Sequence, residues 1–397
     1  MLIMGGMLRN LPKVNVAEDI DPNWSTCIRS AALVVILLRA GLGLDPSSLR
    51  KLSFVVLRLA FTPCIVEGAA IAVAAYLILG FPWAWGALQG LVIGAVTPAV
   101  VVPCILSLSD RGYGVHKGIP TLVIAASSID DVLAITGFSL TLGFVFGRSD
   151  NLADTITKGP REVLLGMLLG IVYGLLLWYL PPRKTRNKRW FRFGLLFIGG
   201  LVFMFGGEKA DFPSAGPIGC LTLAFVAAYR WRIDNIEEAE DMDELMEKVW
   251  NIAEPFMFGL IGAEIDVSTL DPPTVGLGVA VLGIGLVFRM LTSFLAVSGT
   301  DLTMKERLFI VFAWLPKATV QAAIGPVAYD TAVRSEGTYQ EKQMGLQILT
   351  LAVMSIILTA PIGGALILLT GPKLLSKEPI EDVSSMTYEK KNMAEKL

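Results

Sequence analysis

Apolar runs of about eighteen residues or more, parted by short polar connections, recur along the whole chain. Such runs read as membrane-spanning helices, because an uncharged stretch of that length crosses the hydrocarbon layer with every backbone group bonded internally. Eleven spans are predicted, lettered in chain order: a 27–44, b 52–79, c 84–107, d 118–146, e 161–180, f 191–207, g 216–232, h 244–264, i 274–299, j 305–330 and k 343–371. The opening MLIMGGMLRN reads as the last two turns of a further helix, which implies chain upstream of it. It carries no basic segment, apolar core and cleavage site of the kind that marks a signal peptide. The expected fold is an all-α polytopic membrane protein, one transporter domain over 1–397 with a tail over 373–397.

Two spans carry helix breakers at mid-membrane. Span c contains TPAVVVP, with Pro98 and Pro103, and span j contains LPKATVQAAIGP, with Pro316, Gly325 and Pro326. Proline removes a helical hydrogen bond, and broken helices are tolerated at membrane depth where they are buried in protein or line a cavity. Triplets b-c-d and i-j-k each have the broken member in the middle. Four spans separate the triplets, so their sidedness is reversed. This is the inverted repeat of secondary transporters, in which discontinuous helices cross at the midplane. The core repeats are expected over 52–146 and 274–371, with scaffold or dimerisation helices over 1–44 and 191–264.

Charges inside the spans then become informative. Asp130 and Asp131 stand together at the centre of span d, where an acidic residue costs about 2.5–3.5 kcal/mol even on insertion scales. They read as an ion or proton site facing the crossing. Glu67 in span b and Arg289 in span i occupy corresponding helices at similar depth and are expected to pair. Lys317, the charge in the broken part of span j, has two open readings: it offsets half-helix dipoles at the crossing, or it snorkels from the cytoplasmic end. Arg39 and Arg58 are expected to snorkel. The histidine of the chain, His116, falls in the c–d connection and reads as a loop residue.

Basic residues gather in connections a–b, c–d, e–f, g–h and i–j and in the tail, notably Arg183, Lys184, Arg186, Lys188, Arg189 and Arg192. The tail is therefore expected to be cytoplasmic. The acidic g–h connection, DNIEEAEDMDELMEK, reads as an interfacial amphipathic helix leading into span h. Apolar residues are 54% of the chain against 17% charged, and mean hydropathy is +0.63, which excludes a soluble enzyme or a nucleic-acid binder. Nothing in the sequence calls for a cofactor. Cys27, Cys64, Cys104 and Cys220 lack paired metal-ligand spacing and read as free thiols.

One carboxylate that holds either a proton or a small cation suffices for exchange if its site crosses the membrane only when neutralised. Oxygen ligands from Asp131, Thr97 and backbone carbonyls freed at the break suit Na+ or Li+. Arginine stays protonated, so the Glu67–Arg289 pair supplies no second proton. Asp130 is the remaining candidate, but adjacent helical residues point about 100° apart, so it need not face the same cavity, and one-for-one electroneutral exchange is expected.

The strings RAGLGLD (39–45), PCIVE (63–67), GAVTPAVVVP (94–103), GIPTL with DDVLAITGF (118–138), FGLIGAE (258–264) and WLPKATVQAAIGP (314–326) closely resemble the animal NHA-type sodium/proton exchangers of the cation/proton antiporter superfamily, the 9B subfamily. The resemblance implies a homodimer in the bilayer whose mobile six-helix core moves like an elevator. It implies Asp131 as the cation and proton carrier, Asp130 as its neighbour, and Thr97 and Pro98 at the unwound first crossing helix. Bacterial relatives often carry an acidic residue between that Thr and Pro, and Lys where Arg289 stands; this chain has neither. The plasma membrane and the endosomal or mitochondrial membranes are all compatible with the sequence. A sodium-coupled organic-anion symporter and a cation channel are the rivals on a related fold.

Overall fold

The computed structural model describes residues 1–10, 20–43, 54–146, 152–181, 187–210, 212, 215–234, 236–263 and 272–377. The expected readings of Asp45, Glu264 and the tail beyond 377 lie outside these. Fifteen α-helices are described: α1 (Leu2–Asn10), α2 (Pro22–Gly43), α3 (Phe54–Ala74), α4 (Trp83–Ile93), α5 (Pro98–Ser109), α6 (Ile119–Phe146), α7 (Leu152–Tyr179), α8 (Lys188–Lys209), α9 (Ala215–Asp234), α10 (Ile236–Ala263), α11 (Pro272–Ala296), α12 (Met304–Ala313), α13 (Thr319–Ile324), α14 (Val327–Arg334) and α15 (Tyr339–Leu374). A π-helical turn, Ala75–Leu79, extends α3 and ends at Gly80, whose φ of 68° suits glycine.

Each of the eleven expected spans is helical over most of its described residues, and eight described stretches are long and apolar enough to cross a membrane. Spans g, h and j fall outside those eight for readable reasons. Span g ends in Arg230, Arg232 and Asp234. The acidic g–h connection and span h form one continuous 28-residue helix, α10. Span j is divided among the short helices α12, α13 and α14. Span c is likewise α4 and α5, separated by 94–97. The two broken spans sit within α3 to α6 and α11 to α15, the stretches expected to form the two repeats.

The repeats are joined where α3 packs along α11, and each broken span lies against the long third helix of its repeat. Small residues allow a close approach of α3 and α4: a Cβ on Gly90 of α4 would lie 2.1 Å from the Gly68 carbonyl oxygen of α3. Gly90→Ala is expected to force these helices apart at a cost of about 1–3 kcal/mol, the usual range for overpacking. Thermal unfolding in detergent checks this against Gly194→Ala, where the added methyl meets nothing within 4 Å. Equal melting of the two variants would contradict the packing.

The remaining helices form a second group. α9 packs on α7, α8 and α2, and α1 lies along α10, which also meets α2. Arg39 is held to this group by Asp243 at 3.7 Å and Glu247 at 3.9 Å.

Three connections meet at one face of the repeats. Lys117, between α5 and α6, pairs with Glu306 of α12 at 2.8 Å and donates to the Asp301 carbonyl at 2.9 Å. Glu306 also closes the capping box of α12 with Thr303. The Gly114 N–H donates to the Ser376 carbonyl at 2.9 Å, and the Ser376 hydroxyl meets Glu306 at 3.3 Å. The c–d and i–j connections and the start of the tail therefore share a side, as the distribution of basic residues requires.

Candidate functional site

The two broken spans cross through their backbones. The Thr97 N–H donates to the Pro316 carbonyl at 3.0 Å. The Thr97 and Thr319 hydroxyls are 2.9 Å apart, and the Thr319 N–H donates to the Thr97 hydroxyl at 3.2 Å. Pro98 is the first residue of α5, where its missing N–H leaves no helical bond unmade. Pro103 lies inside α5, so the break falls before Pro98 instead of between the two prolines.

Broken helices leave carbonyls at the C-terminal ends of their first halves. Lys317 Nζ donates to the Ile93 carbonyl at 2.5 Å and Gln321 Nε2 to those of Val92 at 3.1 Å and Ala95 at 3.0 Å. Arg289 donates to the Gly94 carbonyl at 2.6 Å and to the Trp314 carbonyl. Each of these five freed carbonyls thus already accepts from a cationic or amide side chain. At the start of α5, where the dipole is positive, the Val96 N–H donates to Asp130 Oδ2 at 2.6 Å. Cations at helix C-termini and a carboxylate at an N-terminus each match the helix dipole.

The same side chains form one buried charge cluster. Arg289 Nη1 lies 2.5 Å from Glu67, as the pseudo-symmetry predicted, and Nη2 lies 3.5 Å from Asp130. Lys317 Nζ lies 2.8 Å from the other oxygen of Glu67. All four residues are wholly inaccessible to solvent. Of the two readings of Lys317, the snorkelling one is therefore excluded, and the residue sits at the crossing. Two carboxylates face two cations, so their mutual attraction offsets the cost of desolvating four charges in a membrane interior.

The aspartate pair is divided by this cluster. Adjacent helical residues point about 100° apart, and that turn directs Asp130 into the cluster. Asp131 takes part in none of these contacts and keeps 7% of its surface exposed; its Oδ1, like that of Asp130, has no hydrogen-bond partner among the described residues. A buried carboxylate in that condition is costly unless a proton or cation joins it.

Thr319, Gln321 and Thr359, whose hydroxyl receives the Lys317 N–H at 3.0 Å, were not singled out from the sequence. Small polar residues in an apolar span carry no signal of their own until the position of the break is known. The Arg58 guanidinium, partly exposed, donates to the carbonyls of Ala296, the last residue of α11, and, at 2.5 Å, of Ser298. His116 lies in the c–d connection as expected, and all four cysteines are free, Cys64 and Cys220 buried.

A sequence model of the transmembrane sodium/hydrogen exchangers matches residues 1–370. The chain is 46% identical over 377 residues to Sodium/hydrogen exchanger 9B2 of Mus musculus, covering 95% of this chain and 68% of that protein. Against human Sodium/hydrogen exchanger 9B1 it is 41% identical, covering 95% and 72%. Among solved structures, the sodium proton antiporter MjNhaP1 from Methanocaldococcus jannaschii at pH 8 superposes with a TM-score of 0.66 over 92% of this chain and 90% of that one, at 20% identity. At that identity the likeness speaks to fold alone.

Proposed function

Because the chain belongs to the sodium/hydrogen exchanger family, we propose that it is an antiporter exchanging Na+ or Li+ for H+, with Asp131 binding the cation and the proton in turn. The observation that carries this reading is the division of the aspartate pair. Through Oδ2, Asp130 accepts from the Val96 N–H and lies 3.5 Å from Arg289, whereas Asp131 makes no ion pair among the described residues; Oδ1 of each is unengaged. Thr97 and Thr319 lie at the crossing as hydroxyl ligands of the hard type that Na+ and Li+ prefer. Pro98 and Lys317 hold the broken helices in place. Asp130 positions Arg289 and the start of α5, and serves the carrier through them.

Exchange is electroneutral in this proposal. Glu67, Asp130, Arg289 and Lys317 sum to zero charge by themselves, so neutralising Asp131 with one proton or one Na+ leaves the core in the same net charge on both trips. The cluster then moves as a unit: the repeats α3 to α6 and α11 to α15 form a mobile core that slides against a scaffold of α2 and α8 to α10, and the scaffold joins two copies in the bilayer. The tail faces the cytoplasm, in accord with the basic residues.

The test is proton movement in proteoliposomes under an imposed sodium gradient. Exchange predicts proton flux opposite to sodium flux, reversing when the gradient is reversed and independent of any organic anion. Sodium entry without proton movement would indicate a channel, and a requirement for a co-transported anion a symporter.

A further inference from the structure

Two ion pairs join the proposed scaffold to the proposed core at the face opposite the Lys117–Glu306 contact. Arg29 of α2 meets Asp330 of α14 at 2.8 Å, with side chains only 5% and 9% exposed. Arg334, at the end of α14, pairs with Glu208 of α8, both partly exposed. By contrast, the Arg39, Arg189 and Lys248 pairs join scaffold helices to one another or lie within one, and the Glu67, Asp130 and Glu306 pairs stay within the core.

The static half of the buried pair is built into its helix. Arg29 also donates to the Ser25 and Thr26 hydroxyls of the preceding turn, at 2.9 and 3.3 Å, which aims the guanidinium at α14. The other half is tied to the crossing, because α14 follows α13 with only Gly325 and Pro326 between them. A shift of the crossing therefore carries Asp330 with it. Around both pairs lies a cavity of about 320 Å³ lined by α2, α8 and α14, Asn23, Thr26 and Tyr329 among them. It gives the ion pairs room to part without first unpacking apolar side chains.

We propose that Arg29–Asp330, with Arg334–Glu208 beside it, is a lock that closes this face of the transporter and parts once in every transport cycle. The proposal rests on the moving-core reading above. A buried, hydrogen-bonded ion pair suits a two-state element: it is strong when aligned, and a displacement of a few ångströms that admits water exchanges it for hydration.

Spin labels at Lys209 on the scaffold and Glu336 on the core, both exposed, report the separation by pulsed dipolar spectroscopy in a Cys27→Ser/Cys104→Ser background. Wild-type protein should show a major short and a minor long distance, with the balance changing between sodium-loaded and acidic conditions. Asp330→Asn should raise the long-to-short ratio by about tenfold, a shift of ordinary coupling size, and the charge-reversed pair Arg29→Asp/Asp330→Arg should return it towards wild type. If the wild type shows both distances and Asp330→Asn leaves their ratio unchanged, the lock is overturned while the moving core stands. If no protein shows a second distance in any condition, the moving-core reading fails and the lock with it. A cross-link gives an independent check. Arg29→Cys/Asp330→Cys in the Cys27→Ser background, bridged by a short bifunctional methanethiosulfonate, should stop sodium/proton exchange, and reduction of the bridge should restore it. Undiminished exchange by protein shown to be cross-linked overturns the lock.

Discussion

Glu67→Leu is expected to destabilise the core by about 3–5 kcal/mol, the cost of leaving buried charge unpaired. Glu67 is the single carboxylate that touches both Arg289 and Lys317 among the described contacts. Its removal leaves Asp130 at 3.5 Å from Arg289 as the remaining counter-charge. Neither cation can withdraw to water, because both hold carbonyls of the broken helices. The loss should appear as a large fall in melting temperature in detergent and as poor recovery of folded protein. Removing Lys317 as well, in Glu67→Leu/Lys317→Met, should restore part of the stability, since neighbouring substitutions in one charge network are not additive. Wild-type melting of Glu67→Leu would mean that the four charges are hydrated and do not brace the crossing.

Asp131→Asn should abolish sodium-driven proton flux while leaving melting and oligomeric state close to wild type. The amide keeps the size of the carboxylate but can neither take up a proton nor neutralise a cation, and the cluster it leaves behind is already balanced. Asp130→Asn should behave in the opposite manner. It removes one charge from that balance and weakens the acceptor of the Val96 N–H, so stability falls and exchange is reduced without being lost. Near-normal flux in Asp131→Asn would remove it as carrier.

Much of this arrangement is legible in the sequence because a membrane makes polar residues conspicuous. Asp130, Asp131, Glu67 and Arg289 stand out from apolar runs, and depth alone pairs the last two. The breaks in spans c and j are marked by Pro98 and Pro316, although Pro103 shows that a proline can ride within a helix. What the sequence hides depends on rotation and on distant partners. Lys317 reads equally well at the membrane face or at the crossing until the end of α12 is located. That Asp130 and not Asp131 joins the cluster follows from the phase of α6 against Val96 and Arg289. Arg58 finds its carbonyl partners at the end of α11 and just beyond it, 238 and 240 residues away, and Arg29 finds Asp330 at a separation of 301. No local pattern encodes contacts of that range.

The central claim, that one carboxylate serves proton and cation by turns, is tested most directly by counting protons released when purified protein binds Na+. Calorimetric titration in buffers of different ionisation enthalpy provides that count. At a pH where the unliganded site is protonated, wild-type protein is expected to release close to one proton per Na+ bound, and Asp131→Asn to show neither the binding heat nor the release. Binding without proton release, release of two protons per Na+, or undiminished coupled binding in Asp131→Asn would contradict it.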